Sequence, residues 1–88
     1  MKELVDYIVK SLVDNPEFVE INETAGTSVI ILEISVGASD IGKVIGKEGR
    51  IANAIRTIVK ASAAKLDKKV TVEILTNDDR SEERRVGK

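Results

Sequence analysis

The apolar residues of this chain change their spacing three times, and each change falls at residues that break regular structure. Leu4, Val5, Ile8, Val9, Leu12 and Val13 repeat with a period near 3.6, which is one stripe down a helix over residues 4–13. Asn15-Pro16 ends it, because the residue before a proline is pushed out of the α region. The period drops to two across residues 18–23, with Val19 and Ile21 on one face. It stays at two across 28–36, where Ile30, Leu32, Ile34 and Val36 share a face. Thr24-Ala25-Gly26-Thr27 lies between these runs as a hairpin turn. Helical spacing returns over 41–45 and 50–66, and alternation returns in Val70, Val72 and Ile74 of a strand over 70–75.

The order is therefore α-β-β-α-α-β. Strands 28–36 and 70–75 can lie parallel, since the two helices between them make a sufficient crossover. The expected architecture is α+β, a three-stranded mixed sheet covered on one face by three helices. Val29 and Ile31 add apolar surface to the second face of strand 28–36, which suits a central strand or a covered second face. In the longest helix Ile51, Ile55, Ile58, Val59 and Leu66 are expected to point inward. Ser39 or Asp40 is placed to cap the helix that starts at residue 41.

With 88 residues, the chain has room for one small domain. Residues 1–76 make that domain, and 77–88 carry no period. The segment Arg80-Ser81-Glu82-Glu83-Arg84-Arg85-Val86-Gly87-Lys88 resembles translated adapter sequence; as native chain it reads as a disordered charged tail. No apolar run approaches the ~20 residues of a membrane span. The opening Met1-Lys2-Glu3-Leu4 is not a signal peptide, so the expected address is the cytoplasm.

Composition removes most chemistries. There is no Cys and no His, so disulfides, the usual zinc and iron ligand sets and imidazole acid–base catalysis are out of reach. No remaining polar residues form a catalytic set; the expectation is a non-enzyme with no cofactor and no metal. Tyr7 and Phe18 are the only aromatics, which excludes recognition of bases on an aromatic sheet.

Charge is the next guide. Residues 1–42 set eight carboxylates against two lysines, whereas residues 43–69 set eight basic side chains against two carboxylates. A basic block in an otherwise acidic chain suits a local polyanion site, although a lysine-rich solvated helix face has the same composition.

Two glycine motifs fall next to this block. Gly37 to Lys43 fits G-x-x-x-x-G-K after a strand, but the following residue is Val44 where a phosphate-binding loop needs Ser or Thr for magnesium. The second motif is Gly42-Lys43-Val44-Ile45-Gly46-Lys47-Glu48-Gly49-Arg50-Ile51-Ala52-Asn53. Gly46 and Gly49 let the backbone turn sharply between two helices and approach a phosphate chain. The second glycine opens a helix whose N-terminal N–H groups attract anions. Lys43, Lys47 and Arg50 surround the turn.

This glycine turn with its flanking isoleucines, basic side chains and bracketing strands resembles the KH domain, a binder of single-stranded nucleic acid whose G-x-x-G loop clamps about four nucleotides. The preceding helix and strand are similar to the type II arrangement, extending the resemblance to residues 1–76. Length and the N-terminal segment resemble the small single-domain bacterial proteins of the KhpA type. That resemblance implies a type II KH fold and clamping of short single-stranded RNA. It implies a role as post-transcriptional regulator or RNA chaperone, with links to cell division and elongation, and hence cell shape. It also implies homodimers and heterodimers with a larger KH-containing KhpB-type partner. Carried onto this chain, Gly46, Lys47, Glu48 and Gly49 form the clamp loop. Gly42, Lys43 and Ile45 lie on the helix before it, Arg50 and Asn53 on the helix after it. An apolar groove would use Ile41, Val44 or Ile45, with the last strand as its other wall. Glu48 departs from the pattern by placing a carboxylate in a phosphate-contacting loop, which implies lower affinity rather than lost function. Arg56 and Lys60 either reach RNA or only solvate the helix; the residues leave both open. The alternative function is a protein-interaction or dimerisation module that docks on a larger partner, with RNA binding minor.

Overall fold

A computed structural model describes residues 1–77. Helix α1 spans Lys2–Leu12, strands β1 and β2 span Glu20–Ala25 and Val29–Val36, helices α2 and α3 span Ile41–Ile45 and Arg50–Lys65, and strand β3 spans Lys69–Thr76. Three short 3-10 turns, Pro16–Phe18, Ala38–Asp40 and Lys47–Gly49, join them. The α-β-β-α-α-β order is as expected, and the strand expected over 70–75 is paired along its length. The charged segment 80–88 lies outside the described residues.

The sheet order is β1-β2-β3. β1 runs antiparallel to β2, with Ile21 opposite Ile34, and β3 runs parallel to β2, with Val72 opposite Leu32. One residue in two therefore faces the helices. Ile30, Leu32, Ile34 and Val36 of β2 are buried, and Leu32, Ile34 and Val36 meet Val5, Val9, Val44, Ile55 and Val59 of the three helices in one core. α1 packs over β1, α3 packs over β3, and α2 touches both helices. β2 is central; on its other face Val29 and Ile31 are exposed, whereas Ser35 near the end of the strand is buried.

Three expectations shift. The first strand begins at Glu20 rather than residue 18, because Pro16 opens a turn. Phe18 then lies over Gly37, where an added Cβ would stand 3.1 Å from its ring. The Asn77 amide donates to the Phe18 carbonyl at 2.6 Å, tying the end of β3 to the same turn. Ile58 and Leu66, expected inside, are 42% and 60% exposed. The α3 core stripe is Ala52, Ile55, Val59 and Ala63. Ile58 falls off that stripe by one residue, and Leu66 sits past the last helical turn.

α3 ends in a Schellman arrangement. The Lys68 N–H donates to the Ala63 carbonyl at 3.1 Å and the Asp67 N–H to the Ala64 carbonyl at 3.0 Å. Asp67 occupies the left-handed position, φ 62°, where a side chain costs energy that glycine avoids. Asp67→Gly also removes a carboxylate from the negative end of the helix dipole. It is expected to stabilise the domain by about 1 kcal/mol, which is roughly 4–8 °C of melting temperature for a domain of this size. A thermal melt followed by circular dichroism reads it.

Candidate nucleic-acid interface

The turn between α2 and α3 has a backbone that its glycines make accessible. α2 closes with the Gly46 N–H donating to the Gly42 carbonyl at 2.8 Å. Gly46 then adopts φ 78°, ψ 174°, a region that only glycine occupies readily. Its Hα faces Ile51, and a Cβ there would stand 2.6 Å from Ile51 Cγ1. Ile51 itself packs against the core, so the close approach of Gly46 holds the two helices together. The Gly49 N–H donates back to the Gly46 carbonyl at 3.1 Å. Glu48 and Gly49 both sit in the left-handed region, φ 56° and φ 74°. Two left-handed residues in succession reverse the chain within four residues and leave α3 starting at Arg50.

This geometry presents Lys47 and Glu48 to solvent. Lys47 has no carboxylate within ion-pair distance among the described residues, whereas Glu48 meets Arg50, Oε1 to Nη2, at 3.5 Å. Both partners of that pair are well exposed, so it contributes little. The other expected site residues divide into distinct settings. Ile41 is half-buried against the core and Ile45 is 38% exposed, while Val44 is fully buried and belongs to the core. Asn53 is exposed on α3 and accepts a bond from Arg56 Nη1 at 3.2 Å. Gly42 is exposed, and a Cβ on it would meet nothing within 4 Å.

Lys43 is engaged with two carboxylates. Its Nζ lies 3.4 Å from Asp14 Oδ2 and 3.5 Å from Asp40 Oδ1. Asp40 is 1% exposed and stands at the N-cap of α2, but it does not cap that helix. Its Oδ1 accepts from the Asp14 N–H at 3.2 Å, and its Oδ2 accepts from the Asn15 N–H at 3.0 Å and the Asn15 side-chain amide at 3.3 Å. The carboxylate thus reaches across to the end of α1 and anchors the start of α2 to it. Nothing local in Asp14-Asn15-Pro16 signals this partnership, which joins residues 25 or 26 positions apart.

Burial pushes the Asp40 carboxyl up, but the two backbone N–H groups, the Asn15 amide and Lys43 outweigh it and hold it below its ordinary 3.8. The hydrogen bond that Lys43 donates to the Asp14 carboxylate, with the charge of that carboxylate, raises the Lys43 pKa. A depressed carboxyl stabilises the fold above its unfolded pKa, and that contribution disappears as pH falls through the lower folded value. Asp40→Asn is therefore expected to lower the melting temperature at pH 7. The gap between variant and wild type should close as pH falls below about 3.8, the value from which the folded carboxyl is depressed. Melts at a series of pH values measure the gap, and a constant gap would mean that Asp40 acts through shape alone.

A family model described as KhpA/KhpB, KH domain, matches residues 2–74. The chain is 64% identical to the RNA-binding protein KhpA of Clostridium perfringens over 75 residues, covering 85% of this chain and 100% of that one. It is 60% identical over the same shares to the RNA-binding protein KhpA of Caldanaerobacter subterraneus. It is also 52% identical to that of Borreliella burgdorferi, covering 83% of this chain and 89% of the relative. No solved structure matches the chain.

Proposed function

The chain belongs to the KhpA/KhpB KH-domain family, and on that premise we propose that it is a non-enzymatic RNA-binding protein that clamps about four single-stranded nucleotides with its 46–49 loop. The observation that carries this reading is the loop backbone. Gly46 and Gly49 at positive φ bring a backbone free of side chains and a solvent-facing Lys47, without a carboxylate partner among the described residues, to one edge of the domain. A phosphate chain can approach such a surface closely, and α3 begins there with its dipole favourable to anions. Gly42 supports the same reading. Glycine within a helix costs about 0.5–1 kcal/mol relative to alanine, and no packing contact requires it here; a backbone passing close to α2 does. Ile45, partly exposed beside the loop, is suited to the edge of a base.

In this role the protein acts on transcripts as a post-transcriptional regulator or RNA chaperone. Among the described residues no helix is long and apolar enough to cross a membrane.

The test is a titration of a fluorescently labelled single-stranded RNA at several salt concentrations. The expected log–log slope is about −0.7 per phosphate neutralised, with roughly two to four phosphates in contact. Single strands should bind more tightly than duplex of the same sequence.

A second reading has its own observation. Ile58 lies exposed on α3, and helical spacing puts Ala54 and Ala61 on the same flank. This small apolar strip suits self-association, or pairing with a larger KH-containing KhpB-type partner. Dimerisation would add avidity to a weak clamp. A salt slope near zero, with binding limited to protein partners, would favour interaction as the main role.

A further inference from the structure

Lys43, Lys47 and Arg50 flank the same turn, but they are held differently. Lys47 has no carboxylate within ion-pair distance among the described residues, and Arg50 meets the exposed Glu48. Lys43 is tied to Asp14 and to Asp40, whose side chain is 1% exposed. Asp40 in turn accepts the N–H groups of Asp14 and Asn15, just past the end of α1. A lysine seated against a buried carboxylate is not free to swing toward a ligand, because its departure would leave a desolvated anion without its counter-charge.

Helix geometry points the same way. Successive residues are turned by about 100°, so on α2 Gly42 and Ile45 lie about 60° apart while Lys43 stands about 160° from Ile45. Gly42 and Ile45 are exposed, and their flank continues into the 46–49 loop. Lys43 is on the flank that meets the end of α1. α2 has five residues, of which Val44 is fully buried, so packing alone does little to fix its tilt. We propose that Lys43 is a positioning residue of the clamp. It does not touch RNA; with Asp14 and Asp40 it fixes α2 against the end of α1, and so sets where Gly42, Ile45 and the loop stand. This rests on the clamp reading above. Two carboxylates thereby serve the binding of a polyanion.

Salt dependence separates positioning from contact. A fluorescein-labelled uridine oligonucleotide of twelve nucleotides is titrated with the wild type, Lys43→Gln, Lys43→Arg and Lys47→Gln, well below their melting temperatures. Lys43→Gln should bind roughly fivefold more weakly with an unchanged log–log slope, whereas the slope for Lys47→Gln should be shallower by about 0.7, the share of one phosphate. Lys43→Arg keeps the charge and the donors and should restore the affinity. In the free protein, Lys43→Gln should move the amide resonance of Gly49 and leave that of Gly26, in the β1–β2 turn, in place. A slope for Lys43→Gln as shallow as that of Lys47→Gln overturns the proposal, because Lys43 would then hold a phosphate itself. Unchanged affinity also overturns it, because the cluster would then serve stability alone. Asp14→Asn keeps the test open should Lys43→Gln not fold, since the Asp14 side chain is 76% exposed. Positioning predicts weaker binding although an anion is removed; equal or tighter binding overturns it. Lys47→Asp/Glu48→Asp reports separately on the clamp. If it leaves the oligonucleotide bound, the clamp reading fails, whatever the Lys43 variants do.

Discussion

Lys47→Asp combined with Glu48→Asp is expected to reduce RNA affinity at least about a hundredfold, roughly 3 kcal/mol, while the domain stays folded. Both residues are exposed at the tip of the turn. The change replaces a solvent-facing cation with an anion beside a carboxylate already there. Repulsion and the lost contact act in the same direction. The fold should tolerate it because Glu48 occupies the left-handed region, φ 56° and ψ 26°, which aspartate adopts more readily than glutamate. The Arg50–Glu48 pair that is disturbed is exposed and worth little. Circular dichroism melting and an RNA mobility shift on the same variant make the measurement. Unchanged affinity in a folded variant would show that the 46–49 loop is a structural corner only.

Gly46→Ala should have the largest effect on stability. Two costs combine at this position. At φ 78° and ψ 174°, any side chain costs about 1–3 kcal/mol. The new Cβ would also stand 2.6 Å from Ile51 Cγ1 and 2.9 Å from Ile51 Cβ, and overpacking of that kind costs typically 1–3 kcal/mol more. A loss of about 3–5 kcal/mol is a large part of the stability of a small domain, and it corresponds to a melting temperature lower by at least about 12 °C. Gly49→Ala is the control. Its φ is 74° but nothing lies within 4 Å of the added carbon, so only the backbone cost of about 1–2 kcal/mol applies. Equal melting temperatures for the two variants would mean that Ile51 yields and the helix–helix contact is loose.

The element order and the loop were legible in the chain because both depend on neighbours in sequence. A switch from period 3.6 to period 2 reflects the covalent geometry of helix and strand, and it places Ile30, Leu32, Ile34 and Val36 on one face before any partner is known. A tight turn between two helices likewise favours glycine where φ is positive, so Gly46 and Gly49 announce it locally, while Glu48 at φ 56° leaves no such mark. Ile58 marks where that kind of reading loses resolution. One residue is 100° of helix, and a stripe of alanines and isoleucines does not say which edge of itself is covered.

Contacts between elements follow a different logic. Asp40 looked like a helix cap because its type and position fit one. It became an anchor for α1 because packing brings the Asp14 and Asn15 N–H groups, some 25 residues away, within 3.2 Å. Lys43 is drawn into the same cluster by those carboxylates. Local patterns set each element and the face it buries. Which charges meet across the gaps depends on how the buried faces dock, because a partner beyond the reach of helical or strand periodicity leaves no mark in the spacing of residues.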